Sequence, residues 1–404
     1  MIGYPRLVRL NPNIPWKTRG NGAISIKVGK GKGKKTKIGQ NGKNNLYCYN
    51  ELLSECKNEE KIRAIVEQTI DICARLDDEN TNSGFVLTKE KPEISAYKNA
   101  VERIVTLEET KEILREKNAL FKGYKNKRGL IGATASISWE PQDDKSYELI
   151  SYRKKQKWGR KRSVDDKSTK KMDKTFDSTF DNYDYENKHN RLVPSSPCPV
   201  LFGIRGDSDK DLISAKSIIE SEKTDSWLLF ETNQGTDDHL QKKKIKDVLA
   251  YDSVIIRGEV IKIPKTIVGG HVIFSIKDTT GEIDCAAYEP TKQFRNLIRE
   301  LLPGDTVEVY GGVRKKPLTI NLEKIKVVKL AKNILKVENP VCPKCGKHMK
   351  SRGKNQGYKC IKCGEKSNKP ILRELKRNIK IGFYEVPVCA RRHLSKPLKR
   401  YSQQ

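Results

Sequence analysis

Apolar and polar residues alternate near the start of the chain, as expected for β-strands. Residues 2–10 form a strand-like segment, "NPNIP" follows as a turn, and every other residue is apolar between 24 and 28. Residues 27–43 are rich in lysine and contain no acid. We predict a solvated hairpin loop there, with a contact to RNA as the alternative.

Helical spacing of apolar residues follows. Residues 59–76 predict an amphipathic helix, and residues 95–117 predict a second helical region. The segment "RGLIGATASISW" at 128–139 is typical of a glycine-interrupted strand or tightly packed backbone. The first third of the chain is therefore predicted to be α+β.

Residues 145–190 are polar and have the composition of a linker, but a buried strand follows at once in "CPVLFGIRGD". A helix is predicted over 211–222, and a strand begins at "WLLFE". A second α+β module therefore continues to about residue 250.

The pattern changes after residue 251 to strand, strand–turn–strand, helix, strand, strand. This order is typical of an OB-fold, a five-stranded barrel that binds oligonucleotides. His271, Phe274 and Tyr288 lie on or beside the middle strands, where they could stack on bases or simply pack.

The amino-acid composition limits the kinds of partner and compartment that the chain could have. The chain has 404 residues, and 81 Lys+Arg against 51 Asp+Glu give a net charge of +30, which favours a polyanionic partner such as nucleic acid over a merely basic surface. The sequence has no apolar run of membrane-spanning length and no secretory signal pattern. We therefore expect a cytoplasmic protein.

Four of the ten cysteines form two Cys-x-x-Cys pairs in "CPKCGKHMKSRGKNQGYKCIKCGE". Two such pairs supply four thiolates, which satisfy tetrahedral zinc completely, so the predicted site is structural. Its ligands are Cys342, Cys345, Cys360 and Cys363. The tail "ARRHLSKPLKRY" adds further basic groups, and we expect barrel, ribbon and tail to grip RNA or DNA.

Glycine turns occur in "TRGNGA", "GIRGD" and "TNQGTDDH". Such turns expose backbone N–H groups that suit phosphate binding, although tight turns alone would explain them. The chain has neither a P-loop nor a dinucleotide-binding glycine motif. The side chains that could bind a nucleotide cofactor are Arg19, Asn21, Arg205, Asp207, Asn233 and Asp237.

Several longer strings carry a resemblance to one family. "GYPRLVRLNPNIPWKTRGNGA", "NTNSGFV", "YELISYR", "WGRKRSVDD", "TNQGTDDHL" and "YEVPVCARRHLSKPL" occur in order along the chain. Together they resemble the archaeal tRNA-isoleucine 2-agmatinylcytidine synthetases, and the similarity extends through the barrel and ribbon.

The resemblance implies an ATP-dependent ligase that joins agmatine to C2 of the wobble cytidine in the AUA-reading isoleucine tRNA. The C2 oxygen is first phosphorylated, and the amine of agmatine then displaces it. ATP with magnesium and structural zinc are the implied cofactors. Acids in "VDD" and "NYDYEN" could hold magnesium or agmatine, although surface ion pairs would also explain them. The catalytic candidates are Asp165, Asp166, Asp173 and Asp184.

The fold implied is a multi-domain α+β protein: a kinase-like and ferredoxin-like catalytic core, then an OB-fold barrel and a C-terminal zinc ribbon. We place the first part of the core at 1–120, its second module at 121–250, the barrel at 251–335, and the ribbon with its basic tail at 336–404. No membrane or obligate protein partner is implied.

Family members carry an Asp-Asp-Thr-Asp loop and a threonine pair before the "GYPRL" strand, and the given sequence starts after that loop. Thr18 lies in "WKTRG", which is a different motif. We expect Met1 to correspond to an internal position of the family's sequence.

Two alternatives differ in class. A non-catalytic binding factor would use the barrel and ribbon with the front half as a scaffold. A lysidine-synthetase-like enzyme would need a pyrophosphate-binding "SGGxDS" loop, which this sequence does not contain.

Overall fold

The computed structural model describes residues 1–16, 21–141 and 144–401. The α-helices in these ranges are α1 Glu59–Cys73, α2 Ile94–Glu102, α3 Leu107–Glu116, α4 Gly129–Ser138, α5 Asp166–Thr175, α6 Asp209–Ile218, α7 Phe294–Arg299 and α8 Leu398–Tyr401. Short 3-10 turns occur at Lys155–Lys157, Ile245–Asp247, Glu289–Thr291 and Val388–Ala390.

The strands of the first half are β1 Ile2–Arg9, β2 Gly22–Lys27, β3 Gly29–Asn41, β4 Asn44–Glu55, β5 Gly84–Leu87, β6 Leu120–Gly123, β7 Ser146–Arg153, β8 Tyr183–Asp184, β9 His189–Asn190, β10 Val200–Gly206, β11 Thr224–Thr232 and β12 Gln241–Lys242. Those of the second half are β13 Ser253–Val260, β14 Lys265–Thr266, β15 Val272–Lys277, β16 Glu282–Ala287, β17 Thr306–Arg314, β18 Thr319–Lys329, β19 Ile334–Glu338, β20 Lys350–Ser351, β21 Tyr358–Lys359, β22 Lys366–Ser367, β23 Ile371–Glu374 and β24 Gly382–Glu385.

One mixed sheet joins the two predicted parts of the core. Its strand order is β10-β7-β11-β3-β4-β1-β2, so strands from before and after residue 120 lie side by side. β1 pairs with β11 in parallel, at Arg6 with Glu231 and Leu7 with Thr232. Because β1 and β11 are far apart in sequence, the amino-terminal segment and the later module fold as one layered unit.

Buried apolar residues on β7, β10 and β11 pack against α6 and α5. Leu149, Ile204 and Leu229 are fully buried and meet Leu212 of α6 and Met172 of α5. Near-continuous apolar runs such as "VLFGI" are expected for strands that are covered by other groups. Burial of Met172 in this core holds α5, the α-helix of the polar segment 145–190, against the sheet. This segment is therefore folded despite its linker-like composition.

The helical region predicted over 95–117 is two helices. α2 ends at Glu102, and Thr106 begins α3 with a capping box, in which its hydroxyl accepts a bond from Glu109 N and the Glu109 carboxylate accepts one from Thr106 N. This Thr-x-x-Glu pattern is a start signal inside the predicted region. The other helices are confirmed with shifted ends, although α1 buries none of its residues and leaves Ile65 and Ile72 exposed.

The segment "RGLIGATASISW" contains the helix α4, so its prediction as a strand was wrong, whereas the alternative of tightly packed backbone agrees with the burial of this helix. α4 is buried on several sides, at Leu130, Thr134, Ala135 and Ser138 among others. Because a helix that is covered all round has no polar face, the apolar spacing that would reveal it is missing. The Thr134 hydroxyl bonds the Leu130 carbonyl and so needs no solvent.

The lysine-rich segment predicted as a loop is the strand β3. It pairs with β4 in an antiparallel hairpin whose turn lies at Gly42 and Lys43. The repeated glycines and lysines concealed the strand, since both residue types are depleted in strands.

The predicted OB-fold is confirmed. β13, β17, β18, β16 and β15 pair in that order, and β13 also pairs with β15 to close the barrel. Its interior contains Val254, Phe274 and Ile325, and α7 contributes Phe294 and Ile298. β24 adds a strand beside β18, with Lys324 opposite Glu385. Within the described ranges, no helix has the length and apolar character needed to cross a membrane.

Candidate active site

Three strand ends meet at one edge of the core sheet. β1 is parallel to β11, and β10 and β11 are both antiparallel to β7, so they are parallel to each other. The carboxyl ends of these strands are Arg9, Gly206 and Thr232. Ligands of open α/β sheets usually bind beyond the carboxyl ends of parallel strands, which makes this edge the first place to look for a site.

Glu148 lies at the centre of this edge. It is 4% exposed on β7, and its carboxylate faces Arg205 Nε at 3.3 Å and Arg9 Nη2 at 3.4 Å. Gln234 Nε2 also donates a hydrogen bond to it. Burial raises the pKa of Glu148, but Arg205 and Arg9 lower it by more, so the net pKa lies below its usual value. The carboxylate is therefore ionised and orients two guanidinium groups.

Arg191 is a third guanidinium close to Arg205. Burial lowers its pKa, and the charge of Arg205 lowers it further. Among the described residues, no group accepts a hydrogen bond from its buried Nε. Arg9 and Arg205 thus share Glu148, and Arg191 lies near Arg205 with the smaller charge effects of Asp181 and Asp184, so three guanidiniums cluster in a partly buried place. Such an arrangement binds a phosphate group well, because arginine presents several donors in a planar fork.

The loop after β11 holds this edge together. Asn233 is fully buried; it accepts a bond from Arg9 N at 2.7 Å and donates to Tyr97 Oη at 2.7 Å. Tyr97 in turn donates to Asp238 at 2.6 Å. Burial raises the pKa of both Tyr97 and Asp238. The chain of bonds fixes the loop relative to β1 and α2.

The end of the chain packs over the same loop. Asp237 accepts bonds from Lys324 Nζ at 2.6 Å and from Tyr401 Oη at 2.5 Å. Arg400 bonds Asp207 at 2.8 Å and Asp144 at 2.7 Å, and Lys396 pairs with Asp144 at 2.9 Å. These contacts join the core, the barrel and the carboxyl-terminal segment at one junction.

The structure brings four of the predicted nucleotide-binding residues to this edge. Arg205 contacts Glu148, Asp207 contacts Arg400, Asn233 contacts Arg9, and Asp237 contacts Lys324. Asn21 lies apart from this network; it has a φ of 36° and donates to the Asn11 carbonyl at 2.6 Å. Arg19 lies outside the described residues.

The four predicted catalytic aspartates lie on α5 and the small hairpin that follows it. Asp165 caps α5 and accepts from Ser168 N at 2.6 Å, while Asp166 accepts from Asn190 at 3.0 Å. Asp173 lies near the other end of α5, roughly 11 Å away at the rise of an α-helix. Burial raises its pKa. Asp184 accepts from Asn187 N and Cys389 N, both at 2.9 Å.

Within the described residues, the one group of three or more possible metal ligands is the cysteine cluster. Its four Sγ atoms lie within 4.8 Å of one another. Each Cys-x-x-Cys pair is followed by a glycine in the left-handed region, Gly346 at φ 68° and Gly364 at φ 78°. These glycines close the tight turns that aim both sulfurs at one point, as a structural zinc requires.

The predicted base-stacking residues have different surroundings. Phe274 is 2% exposed and belongs to the barrel core, so packing is its role. His271 and Tyr288 contact each other edge to face, with ring centroids 5.1 Å apart, and both are partly exposed. The basic tail is also not a free arm, because Arg391, Lys396 and Arg400 are engaged in internal ion pairs.

Sequence reasoning missed Arg9, Glu148, Arg191 and Gln234. Arg9 was treated as part of the strand pattern at the start of the chain, and Glu148 lies in the polar segment whose composition resembles a linker. The available signal was a charged residue beside fully buried neighbours, since an unpaired charge is rarely buried.

The core with its arginine-rich edge, the OB barrel and the zinc ribbon define a nucleic-acid-binding protein. Family models match in the same order: the TiaS TCKD domain at 1–126, the TiaS FLD domain at 127–239, an OB-fold nucleic acid binding domain at 254–328 and the TiaS C-terminal zinc ribbon domain at 339–379. The chain belongs to the TiaS family.

Relatives agree along the whole chain. The tRNA(Ile2) 2-agmatinylcytidine synthetase TiaS of Methanocaldococcus jannaschii is 44% identical over 408 residues, which is 98% of this chain and 90% of that protein. The TiaS of Pyrococcus horikoshii is 42% identical over 406 residues, covering 98% and 89%.

Solved structures are also similar. A crystal structure of a TiaS-tRNA(Ile2)-ATP complex aligns with a TM-score of 0.82 at 39% identity, covering 99% of this chain and 89% of that one. A TiaS-tRNA(Ile2)-AMPCPP-agmatine complex aligns with a TM-score of 0.80 at 37% identity, covering 99% and 88%.

Proposed function

We propose that the protein is an ATP-dependent carbon–nitrogen ligase that conjugates agmatine to C2 of the wobble cytidine in the isoleucine tRNA that reads AUA. The observation that carries this proposal is membership of a family whose solved structures contain tRNA(Ile2), ATP and agmatine, with all four domain models matched. The core sheet offers the anion-binding edge that such a reaction needs.

The chemistry has two steps. The O2 oxygen of the cytidine attacks phosphorus of ATP, so that a phosphoryl group leaves the nucleotide and forms a P–O bond to the base. The amine of agmatine then forms a bond to C2, and the C2–O bond breaks with release of phosphate. Phosphorylation is needed because an unmodified carbonyl oxygen is a poor leaving group, and the base must leave its stack to be reached.

We assign the phosphates of ATP to Arg9, Arg191 and Arg205. Glu148 positions two of them, since its carboxylate lies 3.3 and 3.4 Å from Arg205 and Arg9. Preoriented donors of this kind stabilise charge that develops during phosphoryl transfer, because they need no reorganisation at that moment. Gln234 ties the same carboxylate to His393, whose Nδ1 lies 2.9 Å from Gln234 Oε1.

The catalytic role of Asp165, Asp166, Asp173 and Asp184 stays a prediction. Magnesium is commonly held by one or two carboxylates together with substrate phosphates and water, so a full protein ligand set is not required. Asp166, in the first turn of α5, and the half-buried Asp173 are the first two to test. Either could also accept the cationic ends of agmatine.

The division of labour follows the four segments. We assign ATP and agmatine to 1–120 and 121–250, and tRNA to the barrel at 251–335 and the ribbon with its tail at 336–404. We assign a base contact to the partly exposed pair of His271 and Tyr288 on the barrel. The six cysteines outside the zinc cluster lie within the described ranges as free thiols, which fits a reducing compartment such as the cytoplasm.

The direct test is transfer of labelled agmatine. The chain is incubated with ATP, labelled agmatine and an isoleucine tRNA transcript with anticodon CAU, with a C-to-U change at the wobble position as the matched control. We expect close to one agmatine per CAU transcript, none in the control, and none without ATP. If the chain binds the transcript but never incorporates agmatine, the ligase proposal fails and a binding factor remains.

A further inference from the structure

The hairpin of β3 and β4 reaches beyond the core sheet. β11 joins β3 at Gly39–Asn41, and β1 joins β4 at Tyr49. In the described pairings, residues 29–37 of β3 bond to β4 and to no other strand. The part of the hairpin formed by residues 29–37 and 47–55, called here the lysine arm, is thus a two-stranded ribbon that, in the described pairings, is joined to the rest of the sheet at Tyr49 of β4.

In the lysine arm, side chains of β4 lie very close to the backbone of β3. A side-chain Cβ at Gly31 would lie 2.5 Å from the Tyr49 ring, and one at Gly29 would lie 2.3 Å from Leu52 Cδ1. Only glycine at these two positions of β3 leaves room for the side chains of Tyr49 and Leu52 on β4. The residues between the glycines are lysines, so the ribbon presents ammonium groups at short, regular intervals.

The arm is strongly basic and exposed. The arm has five lysines and two glutamates, a net charge of +3, and the flanking Lys27 and Lys43 bring the segment 27–55 to seven lysines and a net charge of +5. All seven lysine side chains are exposed: Lys27, Lys30, Lys32, Lys34, Lys35, Lys37 and Lys43. Lys32 pairs with Glu51 at 3.5 Å, while both remain about half exposed, at 52% and 54%. Lys35 Nζ lies 4.2 Å from the centre of the Tyr47 ring.

Alternate residues of a strand lie about 6.6 Å apart, so the lysines form a ladder of positive charge. The ionic partners inside the protein do not balance it. Among the described residues, only Lys32 of the seven forms an ion pair. A ladder of exposed ammonium groups suits a regular polyanion, because each contact releases a condensed counterion.

We infer that the lysine arm is a second RNA-binding surface, separate from the barrel and ribbon, which binds the phosphate backbone of the tRNA without reading its sequence. This inference rests on the proposed function for the identity of the RNA. The arm would add affinity and leave the chemistry at the wobble base unchanged.

Exposed strand edges are also protected by lysine against pairing with other chains. On that account the arm would keep the protein monomeric, and neutral side chains there would cause self-association without altering RNA binding. If the arm binds RNA, neutralising its lysines should weaken RNA binding. If the arm only protects a strand edge, the same change should cause self-association and leave RNA binding unaltered.

The test uses the full chain with the triple change Lys30→Gln, Lys34→Gln and Lys37→Gln, which spares the Lys32 ion pair and the Lys35–Tyr47 contact. The matched control neutralises three exposed lysines on separate helices, Lys61, Lys98 and Lys174. Binding to the CAU transcript is followed by fluorescence anisotropy at several salt concentrations, with sedimentation to report self-association.

We expect the arm variant to bind at least about tenfold more weakly than the control and to lose about 2 from the slope of log K against log salt, since each phosphate contact contributes about 0.7–0.9. Turnover at saturating tRNA stays within twofold. Equal slopes for the two variants overturn the inference, with or without self-association. Altered slopes in a chain that transfers no agmatine uphold the arm and sink the ligase.

Discussion

His239 Nε2 lies 3.1 Å from Glu323 Oε2, and both side chains are buried where the core meets the barrel. His239 ends the loop after β11, whereas Glu323 belongs to β18. Burial raises the pKa of Glu323, but His239, Arg392 and Lys324 lower it to about 2. The junction between the two halves of the protein therefore contains an ionised carboxylate.

Acid is expected to loosen this junction. A carboxylate whose pKa is lower in the folded state stabilises the fold above its unfolded pKa, and that stability is lost as the pH falls toward the folded value. For Glu323 the loss should extend from about pH 4.5 to about pH 2. Its size is about 3 kcal/mol, from roughly 1.4 kcal/mol for each unit.

The measurement is the unfolding free energy between pH 7 and pH 2 for the unaltered chain and for Glu323→Gln. The variant should be less stable at pH 7 and should show a smaller decline below pH 5. Parallel declines would mean that Glu323 does not carry the acid sensitivity. Glu308→Gln on the neighbouring strand of the barrel is a suitable control.

Lys324 should be the most sensitive cation of the same junction. Its side chain is fully buried and its Nζ lies 2.6 Å from Asp237. Replacing it with methionine leaves a buried carboxylate without its main cation, which is expected to destabilise the fold by about 3–5 kcal/mol. Denaturant unfolding measures the change.

Lys326→Met tests the specificity of that effect, because Lys326 is on the same strand but exposed. It should alter stability by less than about 0.5 kcal/mol. Similar losses for the two variants would show that hydrophobic replacement on β18, and not loss of the buried pair, is responsible.

Arg191 should act on the nucleotide more than on the fold. Its buried Nε has no acceptor among the described residues, so Arg191→Met removes few contacts and should leave the melting temperature within a few degrees. The KM for ATP should rise at least about tenfold, as expected when a charged hydrogen bond to phosphate is lost. Steady-state agmatine transfer at varied ATP provides the readout.

Arg160→Met is the control, because the Arg160 side chain is exposed and lies on the loop before α5. It should leave the KM for ATP unchanged. A normal KM for Arg191→Met, with a lowered melting temperature, would assign Arg191 a structural role instead.

Loss of the zinc site should leave the core and the barrel folded. Cys360→Ser removes one of four thiolates, and the metal content of the purified protein should fall from about one zinc per chain to well below half, as measured by elemental analysis. The ribbon has its own small core around Met349 and Tyr358. The main unfolding transition should therefore persist, while tRNA binding weakens. Cys285→Ser, in the barrel core, should retain the zinc.

Local signals in the sequence located some parts of the molecule well. The cysteine spacing identified the ribbon, and alternating apolar residues identified the barrel, since each pattern depends on a few neighbouring residues. α4 was missed because burial on several sides removes periodicity, and β3 because Gly and Lys are poor strand formers. The cluster of Arg9, Glu148 and Arg191 depends on pairing between distant strands, which no local pattern reveals.

Residues beyond the zinc ribbon complete structures that begin much earlier in the chain. β24 pairs with β18, Lys396 and Arg400 form ion pairs with acids on loops of the core, and Tyr401 donates a hydrogen bond to Asp237. During synthesis the core and barrel can form before this segment leaves the ribosome, because domains generally fold from the amino terminus onward. Until then, Asp144, Asp207 and Asp237 lack those partners, so an incompletely synthesised chain cannot complete the junction between core, barrel and carboxyl-terminal segment.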